Sequence, residues 1–333
     1  MFLVLNMSNM SSFHPEYFLL MGIPGLEEDH LLISIPLFIM YILSLFGNST
    51  LLLVIATNRS LHQPMYIFLV MLTVTDLLLS SAAMPKTLSI FWFNSHEILF
   101  NGCLLQIFCI HYLFVIESSI ILTMAYDRYV AICCPLTYTA IITNSFIQRA
   151  ALIAIIRAFC IITPLIFLLN RLPYQKSNII AHTYCEHMAM ARVASADITI
   201  NNIYGLLSAF SSTGVDLILI FVSYGMIFSA VIRLHSSEAR SKAFGTCVAH
   251  LCVISLFYIP AFFSFIAHRV DQRKIPPQVH ILLANLYVIV PSMMNPMIYG
   301  AKTREIRHRL VLMMNKKVIR PRMTDFLISH IAP

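Results

Sequence analysis

Seven stretches of predominantly apolar sequence, each about 20 residues or longer, constrain this chain more than any other feature. They run over 31–57, 65–91, 103–133, 150–169, 200–232, 242–268 and 278–300. Crossing the ~30 Å hydrocarbon core of a bilayer takes about 20 apolar residues in a helix, so each stretch is long enough to span with some tilt. Composition agrees, with 59% of the 333 residues hydrophobic and only 11% charged. Soluble domains carry about 25% charged residues. The expected fold is therefore an all-α membrane protein. Residues 1–30 read as a tail, 31–300 as a seven-helix transmembrane domain, and 301–333 as a cytoplasmic amphipathic helix and tail. The connections are short except 170–199, which leaves no room for a separate soluble domain. The two halves show no repeat of the kind many secondary transporters carry.

Lys and Arg set the orientation. The first 30 residues contain neither, but hold Glu16, Glu27, Glu28 and Asp29. The segment after the last span holds Lys302, Arg304, Arg307, Arg309, Lys316, Lys317, Arg320 and Arg322. The expectation is a plasma-membrane protein with its N-terminus extracellular and its C-terminus cytoplasmic. The formal charge of +7 then sits mainly on the cytoplasmic rim, where it attracts anionic lipid; it does not read as nucleic-acid binding. Residues 1–10 lack a basic n-region and a sustained apolar run, so the first span is expected to act as its own signal anchor. Asn6 and Asn9 each open an Asn-x-Ser sequon in the tail and are the candidate glycosylation sites.

Of eight cysteines, Cys109, Cys133, Cys134, Cys160, Cys247 and Cys252 fall inside spans or at their cytoplasmic ends and read as small buried apolar residues. Only Cys103 and Cys185 share the oxidising side, so they are expected to form a disulfide that pins the long outer loop over the bundle.

Short motifs punctuate the spans at fixed places. These are Gly47-Asn48, LHQPMY at 61–66, MAYDRYVAIC at 124–133, Ser223-Tyr224, KAFGTCVAH at 242–250 and PSMMNPMIY at 291–299. As an ordered set over nearly the whole chain they resemble the olfactory receptors, within the rhodopsin-like G-protein-coupled receptors. The long outer loop and FYIPAFFSFIAHR at 257–269 resemble the class I, fish-like branch. Two departures stand out. Gln175 and Ser195 occupy positions where the family often has a second cysteine pair, and Ala249 stands where it usually has Ser.

The resemblance implies an odorant receptor whose partner is a heterotrimeric G protein of Gs/Golf type that raises cAMP. For coupling and activation it points to Asp127, Arg128, Tyr129, Tyr224, Lys242, His250, Asn295, Pro296 and Tyr299. Arg128 would be held by Asp127 at rest and swing to the G protein on activation, with Tyr224 and Tyr299 as partners. Pro260, Pro291 and Pro296 interrupt backbone hydrogen bonding and give the last two helices places to bend.

Tyr258, Phe262, Phe265 and Arg269 recur at i, i+4, i+7 and i+11, one stripe on the sixth helix that ends in a cation. His111, Phe114 and Ser118 share a face of the third helix, with His111 about 12 Å below Cys103. Ser208, Ser211 and Ser212 add hydroxyls from the fifth, and Met188 narrows the top. An apolar cavity with a few polar anchors is the usual small-ligand site. Arg269 above aromatic surface suits a carboxylate, so the expected ligand is a small, fairly polar volatile, with a short carboxylic acid as the leading candidate. The same stripe also serves plain helix packing.

Asp76 and Glu117 are intramembrane carboxylates, and ionisable groups at that depth are costly unless used. The resemblance places Asp76 at a Na⁺-holding position, and Glu117 beside it would complete a cation site. Without an ion, one of the two would keep a proton. No other cofactor is expected. Arg157 lies inside the fourth span, and the sequence offers it no partner. His182, Glu186 and His187 read as loop residues rather than metal ligands, and 303–315 as an amphipathic helix on the membrane surface.

Two other functions compete. One is a metabolite-sensing receptor outside olfaction; the other, more distant, is a transporter or a retinal-bound pump. The seventh span has no lysine for a Schiff base, and no nucleophile–base or metal constellation suggests an enzyme.

Overall fold

Each helix starts and stops where the local sequence demands it. In a computed structural model, which describes residues 14–175, 177–233, 236–267 and 276–313, the chain forms seven long helices. They are α1 (His30–Thr57), α2 (Pro64–Phe93), α3 (Phe100–Cys133), α4 (Asn144–Asn170), α5 (Thr199–Ile232), α6 (Ser237–Ala267) and α7 (Pro277–Lys302). Pro64 and Pro277 open α2 and α7 at the position where a missing N–H costs nothing. Thr143 caps α4 by accepting from the Phe146 N–H at 3.2 Å. Asn94, in the left-handed conformation at φ 50°, ends α2. A short helix, α8, follows over 304–313.

Six of these helices are long and apolar enough to cross a membrane, and α6 carries a shorter apolar stretch over Cys247–Phe263. Their outward faces bear Phe46, Phe221 and Ile259, which are 71%, 66% and 67% exposed. Continuous apolar surface of this kind is at home in hydrocarbon and not in water.

The bundle core explains the Gly47-Asn48 motif. Pro296 in α7 has no N–H to give the Ser292 carbonyl four residues back. Asn48 Nδ2 donates to that carbonyl instead, at 2.7 Å. Gly47 lets the helices meet there, since a Cβ would stand 2.9 Å from the Pro296 ring.

One end of the bundle is roofed. The Tyr17–Leu20 strand (β1) pairs antiparallel with Glu97–Leu99 (β2) and parallel with Ile179–Ile180 (β3), in the order β2-β1-β3. Alternation along β1 buries Phe18 and Leu20 completely. The residues read as a tail thus include a structural strand. Beside the sheet, a short helix at His187–Val193 lies over the bundle, capped by Glu186. The expected Cys103–Cys185 disulfide is formed, with Cα atoms 5.4 Å apart, and ties this roof to α3.

Candidate functional site

Directly under the roof lies a small interior cavity of about 60 Å³. His111, Phe114 and Val115 of α3 form one wall, and Ile162 and Leu165 of α4 another. Gly205, Ser208 and Ser212 of α5 form the third, and Glu186, His187 and Met188 close the top. Of the expected ligand residues, His111, Phe114, Ser208, Ser212 and Met188 therefore converge on one space. The His111 and His187 rings stand 6.3 Å apart, edge to face. Side chains of α4 form a wall that sequence reasoning left out.

Ser118 and Tyr258 do not line this cavity; they are tied instead into a charged network beside it. Asp216 of α5, wholly buried, accepts from Arg157 Nη1 at 2.7 Å and from Nη2 of the same guanidinium. The pair is a two-pronged fork, the strongest common geometry for a carboxylate. Ser118 Oγ donates to Asp216 Oδ2 at 2.7 Å and stands 2.9 Å from Tyr258 Oη. Helices α3, α4, α5 and α6 thus meet in one hydrogen-bonded knot. Asp216 is the partner that Arg157 lacked on sequence grounds. The sequence signal for it is a carboxylate in the middle of an apolar span.

An aromatic relay runs beside the knot. Phe114 stacks on Phe257 at 4.4 Å and meets Tyr287 of α7 edge-on at 6.1 Å, and Phe257 packs against Tyr258 at 4.9 Å. Phe262 stacks on Tyr258 at 6.3 Å. Arg269 and the side chain of Phe265 lie outside the described residues.

Deeper in the bundle, Asp76 and Glu117 are both completely buried. Asn295 Nδ2 donates to both Asp76 oxygens, at 3.1 and 3.0 Å. Neither Glu117 oxygen has a hydrogen-bond partner, and neither does Asn295 Oδ1 or Asn48 Oδ1. A set of unpartnered acceptor oxygens with no cationic side chain among them fits a hard cation or bound protons.

At the end opposite the roof, Arg128 folds back on Asp127, with Nε 3.1 Å from Oδ2. Asp127 also accepts from the Tyr138 hydroxyl at 2.7 Å. Burial, then the bond to Asp127, pushes the Tyr138 phenol well above its usual range, so it stays a donor. The sequence reading missed Tyr138, which opens a single helical turn, Tyr138–Ile141, before α4. Tyr224 is hydrogen-bonded to His250 at 2.8 Å, and the buried Tyr299 hydroxyl has no partner. Tyr129 is half-buried in α3, and Pro296 lies in the α1–α7 contact. The Lys242 side chain, Asn6 and Asn9 lie outside the described residues. In α8, Ile306 is buried against the bundle, and Arg309 donates to Ser60 Oγ at 3.1 Å.

Known proteins match this arrangement along nearly its whole length. A family profile described as "Olfactory receptor" covers residues 37–317. Human "Olfactory receptor 52D1" is 52% identical over 309 residues, covering 92% of this chain and 97% of the relative. Human "Olfactory receptor 52B2" is 53% identical over 300 residues, covering 90% and 93%. The crystal structure of squid rhodopsin superposes with a TM-score of 0.69 at 15% identity, covering 88% of this chain and 87% of that one; at that identity the likeness is one of fold.

Proposed function

This chain belongs to the olfactory receptor family, multi-pass plasma-membrane signalling receptors and not enzymes, and from that premise we propose that it detects a small, fairly polar volatile inside the bundle and answers by stimulating a Gs/Golf-type G protein. The roofed end would face outward, carrying glycans at Asn6 and Asn9, with α8 and the basic rim in the cytoplasm against anionic lipid. The observation that carries this reading is that the interior cavity adjoins the Arg157–Asp216–Ser118–Tyr258 knot through Ser212, which lines the cavity while its carbonyl accepts from Arg157. A ligand held there sits on the junction of four helices, one of them the Pro260-containing α6.

At about 60 Å³ the cavity is well below the ~300–1,000 Å³ of typical small-ligand sites. Occupancy must therefore displace side chains, and a displacement at this junction is coupled to α6. The Asp127–Arg128 pair, closed and braced by Tyr138, is the resting arrangement that such a movement would release.

The leading ligand class is a short or medium-chain carboxylic acid, its head on Arg269 and its chain along Phe262, Phe265, Phe114 and Tyr258, with His111 donating. Glu186 lines the same cavity, so a carboxylate must keep to the Arg269 side to avoid a like charge. A matched series of acids, methyl esters and alcohols, read out by cAMP on wild type and Arg269→Ala, tests this. The expected result is that acids lose potency relative to their esters only in the mutant. Activation of wild type by esters or alcohols alone would remove the acid and leave the pocket. Silence of every compound, with cAMP unresponsive in cells carrying Golf, would remove the proposed ligand class and coupling and leave the family.

Asp76, Glu117 and Asn295 would hold Na⁺, with Asn48 nearby. The ion would supply the positive charge that this oxygen cluster lacks.

A further inference from the structure

A second, larger cavity of about 700 Å³ opens on the membrane face between α4 and α5, near the roofed end. Phe159, Thr163, Pro164 and Phe167 of α4 line it, with Ile200 and Tyr204 of α5 opposite. Phe159, Phe167 and Ile200 are exposed to the bilayer. We propose that this groove is a vestibule through which the receptor's ligand, as a neutral molecule dissolved in the outer leaflet, passes between α4 and α5 into the interior cavity. The inference rests on the reading of that interior cavity as the ligand site.

The two cavities share one thin wall. Consecutive residues on a helix point about 100° apart, so neighbours can face opposite sides. On α4, Ile162 and Leu165 line the interior cavity while Thr163 and Pro164, between them, line the groove. On α5, Gly205 and Ser208 line the interior while Tyr204 lines the groove.

The wall is also weak for its position. Pro164 cannot donate to the Cys160 carbonyl, so α4 lacks a rung there. Gly205 contributes no side chain, and α5 carries a π-helical turn at Phe210–Gly214, a feature often found at functional sites. The Tyr204 hydroxyl donates to the Ile161 carbonyl at 2.9 Å, a bond across the seam that one side-chain rotation breaks. On the water side, by contrast, the disulfide-tied roof packs tightly on the bundle, with Tyr184, Met190 and Ala191 almost wholly buried.

The lining selects for neutral molecules of modest polarity. Thr163 Oγ1 is buried without a partner and offers one hydrogen bond inside an apolar groove. Arg171 stands at the mouth with the Asp197 carboxylate in its field, whose pKa is lowered first by hydrogen bonds from Thr199 and then by Arg171. An anionic headgroup therefore gains little there. A volatile alcohol, ketone or protonated acid partitions into hydrocarbon and carries the one polar group the groove can satisfy.

The test uses full-length receptor in phospholipid nanodiscs and a photoreactive diazirine analogue of octanol, with labelled peptides mapped over time. In wild type, label should reach the groove first and the α3 and α5 residues of the interior cavity later. Thr163→Trp, which fills the groove without touching the interior cavity, should slow interior labelling at least about fivefold and leave its final extent unchanged, since a blocked path alters on- and off-rates alike. Ile200→Trp, at the lipid-facing mouth, carries the same expectation should Thr163→Trp fail to fold, and Tyr204→Phe should speed labelling. Interior labelling at the wild-type rate in both tryptophan variants overturns the route and leaves the ligand cavity standing. Interior residues that are never labelled, in any variant, overturn the cavity reading and the route with it. Added sterol that abolishes groove labelling while interior labelling keeps its rate would make the groove a sterol seat, which also overturns the route.

Discussion

Two carboxylate clusters sit in the same bundle on opposite plans. Asp216 meets a guanidinium fork and a serine hydroxyl, so its charge is answered within the protein. Asp76 takes both its hydrogen bonds from one asparagine amide, and both Glu117 oxygens are left without a donor. A buried charge is tolerated only when paired and hydrogen-bonded. The first cluster therefore behaves as a permanent clamp that holds α3, α4, α5 and α6 in register beside the interior cavity. The second leaves acceptor oxygens without a donor, the arrangement that the proposed Na⁺ would complete. The Arg128–Asp127 pair lies between these extremes: satisfied like the clamp, yet 15% exposed on the arginine side at the bundle's end, where it can open.

The largest expected effect breaks the clamp. Arg157→Leu leaves Asp216 buried and unpaired, and removing one partner of a buried pair costs about 3–5 kcal/mol. Against a total stability of about 5–15 kcal/mol, surface expression should fall at least about tenfold. Arg157→Leu with Asp216→Leu should recover most of it, because no isolated charge remains. Flow cytometry on tagged receptor measures both. A double variant as poor as the single would mean that the fork is needed for more than charge balance.

Next in size is the openable pair. Arg128→Ala should abolish agonist-dependent cAMP at near wild-type surface density, since Arg128 is partly exposed and its loss leaves Asp127 hydrogen-bonded to Tyr138. Normal signalling at equal density would remove Arg128 from coupling.

The smallest effect sharpens the comparison at its incomplete member. If Na⁺ supplies the missing charge, then at roughly ten times its Kd it stabilises the fold by about 1.4 kcal/mol. For a chain of this size that raises Tm by roughly 2–4 °C. Purified wild type should show this shift on replacing K⁺ by Na⁺, whereas Asp76→Asn and Glu117→Gln should not. A wild type indifferent to Na⁺ would assign protons, and not a cation, to the cluster.

How much was legible beforehand differs between these clusters for a physical reason. Asp76 and Glu117 stand out because a carboxylate in an apolar span is expensive wherever it lies. The same rule applied to Asp216, and Arg157 advertised the need for an anion at its depth, yet the two are 59 residues apart with nothing local linking them. The α6 stripe was legible as periodicity, but not its division of labour: Tyr258 turns to the knot at Ser118 and Phe262 stacks behind it, while the cavity takes its wall from α4. Tyr138 escaped notice because a single helical turn is too short to carry a periodic signal.

Hydrophobic length and the scarcity of charge were enough, by themselves, to determine a multi-spanning helical chain, because hydrocarbon admits only segments that satisfy their own backbone. Compartment chemistry likewise singled out Cys103 and Cys185 from eight cysteines. The tertiary structure decided which helix faces meet. Apolar side chains pack against lipid or protein with similar ease, so periodicity cannot say which face turns inward. Pairings such as Arg157 with Asp216, Asn48 with the Ser292 carbonyl, and the two cavities on either side of the α4–α5 seam exist only once the seven helices are assembled.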